Sequence, residues 1–154
     1  MRGRARAPGA GTVLNALANG RGSAFAIEAY TTAEVELHDE DARGDDGGPG
    51  AYGPVTGEVA GAPDADARLI ERCVERVVAT HGDGQGGHVR TESEVPMAAG
   101  LKSSSAAANA TVLATLDALG ATDEVDREAA ARIGVEAARD VGVTVTGAFD
   151  DASA

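Results

Sequence analysis

Lys102 is the single lysine in a chain that carries twelve arginines. It lies in the run Pro96-Met97-Ala98-Ala99-Gly100-Leu101-Lys102-Ser103-Ser104-Ser105-Ala106, a glycine turn followed by one ammonium and three hydroxyls. Those groups suit the cradling of a phosphate. Downstream, Ala106 to Leu119 reads as a helix with Val112, Leu113, Leu116 and Leu119 on one apolar stripe, ended by Gly120. Ser103 to Ser105 then sit at the helix start, where the first amides lack intrahelical partners and the dipole favours an anion. The other reading is a serine cap on a core helix. A Walker loop is excluded, because Leu101 separates Gly100 from Lys102 and the upstream glycine position is Val95.

The loop from Pro96 to Ala106 resembles the second signature of the GHMP small-molecule kinases, Pro-x-x-x-Gly-Leu-Gly-Ser-Ser-Ala. With lysine in place of its second glycine it is similar to the archaeal shikimate kinases within that superfamily. Two further segments agree. Ala7 to Ala16 with Gly20 to Ile27 resembles the amino-terminal segment of those kinases, and Thr146-Gly147-Ala148-Phe149-Asp150-Asp151-Ala152 resembles the Gly-x-x-Asp segment of galactokinase-like members.

The resemblance implies ATP-dependent phosphorylation of the 3-hydroxyl of shikimate, in the route to chorismate and aromatic amino acids. It implies ATP and Mg as cofactors and a small-molecule substrate as partner. Nucleotide contacts fall on Pro96, Ala98, Ala99, Gly100, Leu101, Lys102, Ser103, Ser104, Ser105 and Ala106. Asp150 takes the place of the catalytic base, with Asp151 as the alternative, and Ser104 and Glu136 take the places of the Mg ligands. Substrate contacts are expected at Asn15 and Arg21. Transfer of a phosphoryl group to an alcohol calls for such a carboxylate and such a metal on chemical grounds alone.

Each residue also has a plainer reading. Glu136 lies fourteen residues before Asp150 and could be a solvated acid on a helix from Asp126 to Asp140, paired with Arg132 or Arg139 at helical spacing. Asp150 and Asp151 could form an Asx turn. Lys102 could be a surface charge, although a helix start disfavours a cation. The rivals to shikimate are therefore another GHMP kinase acting on homoserine or a sugar, an inactive nucleotide-binding fragment, and a structural α+β domain.

The elements expected to position these groups are strands at Gly3 to Ala7, Val13 to Ala16, Ser23 to Ile27, Thr31 to Leu37, Val55 to Val59 and His88 to Ser93. Helices are expected at Asp64 to His81, Ala106 to Leu119 and Asp126 to Asp140, then a strand at Val141 to Val145. A glycine-rich turn spans Gly82 to Gly87, and His38 to Gly53 reads as a solvated acidic loop. The order predicts an α+β fold, a mixed sheet packed with helices as in a GHMP kinase amino-terminal domain, over residues 1–154. Chains of that family run to nearly twice this length, so a missing second domain and a truncation after the aspartate motif are expected.

The 154 residues are 43% hydrophobic, with two Phe, two Tyr and no Trp, so the core must be aliphatic and small. No stretch approaches the ~20 apolar residues of a membrane span, and Arg2, Arg4 and Arg6 precede no apolar secretion segment, so a cytoplasmic protein is expected. A net charge of -12 would repel a nucleic-acid backbone. Cys73 reads as a core residue without chemistry. His38, His81 and His88 are scattered without ligand spacing, so they read as surface residues and not as a zinc site.

The acid excess with almost no lysine suggests adaptation to high salt, where screening relieves self-repulsion. Folding is expected to be markedly better in molar KCl than in millimolar buffer. Equal melting curves in the two would refute the reading.

Overall fold

The computed structural model describes residues 1–14, 22–39, 53–94 and 103–143. Their order is β1 (Arg2–Leu14), β2 (Ser23–His38), β3 (Val55–Val59), α1 (Arg68–His81), β4 (Gly86–Ser93), α2 (Ser103–Leu119) and α3 (Arg127–Asp140). The strands form one sheet in the order β1-β2-β4-β3. β1 with β2 and β2 with β4 are antiparallel, whereas β3 and β4 are parallel and need α1 as their crossover. This is the expected α+β arrangement of a mixed sheet packed with helices.

The alternation of arginine with small residues at the start of the chain has a clear physical outcome. Arg2, Arg4 and Arg6 face solvent while Gly3 and Ala7 are buried. Across the pairing, Thr31, Ala33, Val35 and Leu37 point inward, and Glu34 and Glu36 meet the arginines. Arg2 reaches Glu36 at 3.0 Å and Arg4 reaches Glu34 at 3.1 Å. The Arg2 guanidinium holds the Glu36 carboxyl below the usual carboxylate range. Solvent screens exposed pairs of this kind and leaves them little net effect, so burial of the inner face holds the sheet together.

Both edges of the sheet are tied to a helix by a carboxylate. The Arg4 amide donates to Asp117 Oδ2 on α2 at 2.9 Å, and the Gly57 amide donates to Glu71 Oε1 on α1 at 2.8 Å. An edge amide that would otherwise invite a foreign strand is occupied in each case.

α2 departs from the single apolar stripe expected of it. Ala106, Ala108, Ala110, Thr111, Val112, Ala114, Thr115, Leu116 and Ala118 are all buried, so it is covered nearly all round. Ala110, Ala114 and Ala118 pack with Ala7, Ala33 and Val35 of the sheet. Ala108, Val112 and Leu116 pack with Leu69, Cys73 and Val77 of α1 and with Ala130 and Ala137 of α3. Small side chains on the sheet side let β1 come so near that a Cβ on Gly3 would overlap the Ala114 carbonyl and the Ala118 amide.

Several boundaries shift, each for a local reason. The helix expected from Asp64 begins at Arg68, because Asp66 Oδ1 accepts from the Arg68 amide at 3.0 Å and stops the turn from extending upstream. The strands expected at Ser23 to Ile27 and Thr31 to Leu37 are one strand, β2, with a bulge opposite Pro8 to Ala10. β4 starts at Gly86, shortening the glycine-rich turn. The strand expected from Val141 does not form over residues 141–143. Gly142 takes φ 74 and the Val143 amide returns to the Ala138 carbonyl at 2.9 Å, which terminates α3. Residues 144 and 145 lie outside the described residues.

Cys73 is fully buried, and burial pushes its thiol up to about 12, so it carries no nucleophile at neutral pH. His38 and His88 are exposed and His81 is half-buried. Among the described residues no group of His, Cys, Asp or Glu side chains could hold a metal ion by itself.

Candidate phosphate site at the start of α2

β4 ends at Ser93 and α2 begins at Ser103, so a strand precedes and a helix follows the segment of the phosphate signature. Ser103, Ser104 and Ser105 are the first three helical residues and do not cap the helix from outside. Their amides belong to the group that has no intrahelical acceptor. Ser104 is exposed, Ser103 and Ser105 are half-buried, and Ala106 is buried beneath them. No acid occupies this first turn to compete with an anion. Pro96, Ala98, Ala99, Gly100, Leu101 and Lys102 lie outside the described residues, as do Asn15, Arg21, Asp150 and Asp151.

α3 runs back along α2. Only residues 120–126 join the two helices, and Gly134 packs against Ala108 and Asn109. Ser104 is one turn before Ala108, about 6 Å along the axis, so the last turns of α3 pass the start of α2. Glu136 therefore lies in the half of α3 that passes the start of α2, and its carboxylate is engaged by α1. Arg76 Nη1 on α1 donates to its Oε2 at 2.6 Å, and the Glu136 side chain remains 54% exposed. Of the helical partners expected, Arg132 reaches back to Glu128 at 2.6 Å.

Glu136 belongs to a network that the sequence reading missed. Arg72 Nε and Arg76 Nε both donate to Asp140 Oδ2, at 2.7 and 2.8 Å, and Arg72 Nη1 also reaches Glu75 at 3.0 Å. Arg76 and then Arg72 hold the Asp140 carboxyl down at about 2. The signal was present as two arginines four apart on α1 facing two acids four apart on α3. It could be used only once the two helices were known to be neighbours.

The network makes a testable contribution to acid stability. The folded carboxyl titrates at about 2 against an ordinary 3.8. Its stabilisation is therefore present above the ordinary value and lost as pH falls through that window toward the folded one. Asp140→Asn is expected to flatten the fall in Tm between those two values, more at low ionic strength than in molar KCl. An unchanged acid limb in the variant would show that the network contributes nothing.

Comparison with known proteins agrees with this architecture. The family model for the GHMP kinases N terminal domain matches residues 68–154, more than half of the chain. The shikimate kinase of Halobacterium salinarum is 68% identical over all 154 residues, which cover 50% of that protein. The shikimate kinase of Methanothrix thermoacetophila is 57% identical over the same 154 residues, or 48% of its length. The chain thus spans about half the length of the curated relatives it matches. Among solved structures, the mevalonate kinase of Staphylococcus aureus superposes with a TM-score of 0.65 at 20% identity, over 98% of this chain and 49% of that one. The homoserine kinase of Cytophaga hutchinsonii gives 0.69 at 17%, over 99% and 45%. Likeness at such identities concerns the fold alone, and the fold and the matched residues lead to one conclusion: the chain belongs to the GHMP kinases and has the architecture of their amino-terminal domain.

Proposed function

We propose that this chain is the ATP-binding part of a shikimate kinase, which transfers the γ-phosphoryl group of ATP to the 3-hydroxyl of shikimate. The observation that carries the reading is 68% identity to a shikimate kinase across the whole chain. Lys102, which departs from the commoner GHMP signature, supports this substrate over homoserine or a sugar.

The first turn of α2 fits a nucleotide phosphate, being free of acids and lined by hydroxyls with amides behind them. Backbone amides from Gly100 to Ser105 would hold the phosphates and Lys102 would offset their charge, with Pro96, Ala98, Ala99, Leu101 and Ala106 shaping the loop. A hydroxyl and a carboxylate are the hard oxygen donors that Mg takes alongside phosphate, so Ser104 and Glu136 fit as its ligands. Bound there, Mg would neutralise charge on the phosphate oxygens. Glu136 would have to exchange Arg76 for the ion, an exchange that the exposure of its side chain permits. Asn15 and Arg21 would contact shikimate. Asp150 would accept the proton of the 3-hydroxyl as its oxygen bonds to the γ-phosphorus and the bond to ADP breaks.

A cytoplasmic, salt-adapted enzyme is part of the same reading. It rests on the net charge of -12, the replacement of lysine by arginine, and the lack, among the described residues, of a helix long and apolar enough to cross a membrane. The length of the relatives favours a second reading, in which the isolated 154 residues bind nucleotide without turnover.

Incubation with Mg-ATP and shikimate in molar KCl, with homoserine and galactose in parallel, tests both. Shikimate 3-phosphate by mass spectrometry is the expected product, from this chain or from the chain joined to the remaining half of the Halobacterium relative. Phosphorylation of another substrate by the joined protein, or of none, would overturn the assignment.

A further inference from the structure

The arginine that engages Glu136 is bound more firmly to another acid. Arg76 Nε and Nη2 grip both oxygens of Asp140, at 2.8 Å to Oδ2 and 3.2 Å to Oδ1, whereas Nη1 alone reaches Oε2 of Glu136 at 2.6 Å. A two-pronged contact between a guanidinium and a carboxylate fixes geometry as a single hydrogen bond does not. Arg72, one turn earlier on α1, takes a second hold on Asp140 at 2.7 Å and keeps Glu75 at 3.0 Å. Exposure divides the acids in the same way, with the Asp140 side chain 30% exposed and that of Glu136 54%.

The consequence is an asymmetry in what the network can give up. If Glu136 turns away, Arg76 keeps Asp140, and Arg72 keeps Asp140 and Glu75, so no guanidinium loses all its partners. Breaking an ion network is costly chiefly when one charge is left uncompensated. Were Asp140 to leave, both arginines would lose a partner and α1 would lose its main polar tie to α3. The arrangement therefore favours release of Glu136 over release of Asp140.

Position gives that release a direction. Gly134 lies against Ala108 and Asn109 of α2, and Glu136 is two residues further along α3, about 3 Å nearer the end at which α2 starts. Ser104 is exposed at that end, in a first turn that carries no acid. The carboxylate that the network can spare is thus the one proposed above to meet a metal, and the group it must leave is Arg76.

We propose that Arg76 is a positioning residue that competes with Mg for Glu136 and so sets how strongly the metal adds to nucleotide binding. Without nucleotide the guanidinium holds the carboxylate toward α1. When the nucleotide phosphates bring the ion, Glu136 swings to it and Arg76 settles on Asp140, so that α1 and α3 stay joined throughout. The inference rests on Glu136 being a ligand of Mg, but not on which alcohol accepts the phosphoryl group.

Calorimetry of ADP binding tests this without turnover or an acceptor. The protein is the chain joined to the remaining half of the Halobacterium relative, in molar KCl. The quantity read is the factor by which saturating Mg lowers the Kd for ADP. Glu136→Gln is expected to reduce that factor toward one. Arg76→Gln is expected to raise it about tenfold, the worth of one charge-assisted hydrogen bond, and to have no such effect in the Glu136→Gln background. Arg72→Gln removes an equal charge without touching Glu136, and with long-range effects screened it should change the factor by less than about twofold. If Glu136→Gln abolishes the factor and Arg76→Gln does not raise it, the competition is overturned while Glu136 remains a ligand. Equal rises in Arg72→Gln and Arg76→Gln would also overturn it, since a general loss of positive charge would then be the cause. An unchanged factor in Glu136→Gln would remove Glu136 from the metal site and the inference with it, whatever substrate the enzyme phosphorylates. If Arg76→Gln does not fold, Arg76→Lys decides, because an ammonium lacks the planar fork that serves two carboxylates at once and the factor should again rise.

Discussion

Gly3→Ala is expected to lower stability by about 2–3 kcal/mol, the cost of forcing extra volume into a packed core, although it adds one methyl group at the start of a strand. The added Cβ would overlap backbone atoms of α2, the Ala114 carbonyl and the Ala118 amide, and backbone cannot rotate aside as a side chain can. Relief requires β1 to lift from α2, which disturbs the Ala7, Ala110, Ala114 and Ala118 packing and the hydrogen bond from Arg4 to Asp117. For a chain of this size the loss corresponds to a fall in Tm on the order of 10 °C. Gly120→Ala is the informative comparison. Gly120 has φ 70 and nothing within reach of an added Cβ. Its cost of about 1–2 kcal/mol is purely conformational. Thermal melts of the two variants in molar KCl measure the difference, and equal losses would show that β1 does not press on α2 as described.

The second large effect concerns the chemistry we propose. In a full-length enzyme, Asp150→Asn should lower kcat by roughly 10²–10⁴, the usual worth of a positioned general base, with nucleotide Kd little changed. The amide keeps the shape and one acceptor oxygen but removes the charge that takes the hydroxyl proton. If the base contacts only the acceptor alcohol, the loss falls on turnover and not on ATP binding. Asp151→Asn made beside it decides between the two neighbouring carboxylates. A kcat unchanged by Asp150→Asn and lost in Asp151→Asn would move the role by one residue, and small effects in both would remove the segment from the mechanism.

What could be read in advance divides along physical lines. Strands of strict alternation, such as Arg2 to Ala7 and Thr31 to Leu37, announce themselves because one face must be dry and the other wet. α2 was legible as a helix but not as one buried on two sides. Its sheet-facing contacts are alanines, which carry little hydrophobic signal yet fix how near two backbones come. The run Val141-Gly142-Val143-Thr144-Val145 has the composition of a strand, and over residues 141–143 the left-handed turn at Gly142 overrides it. At the candidate site, local order placed Ser103 to Ser105 at a helix start. The engagement of Glu136 by Arg76 depends on α1 and α3 meeting in space, which no local pattern encodes.

The contact between Arg4 and Asp117 joins positions 113 residues apart, and much of β1's inner surface is completed by the same distant helix. Such separation makes for slow folding, because the closure of a long loop must precede the contacts that reward it. During synthesis at about 5–20 residues per second, the first strand leaves the ribosome on the order of ten seconds before α2 exists to cover it. The arginines that alternate along β1 then have a task before the fold forms, keeping a nascent edge strand charged and solvated until its partner helix arrives.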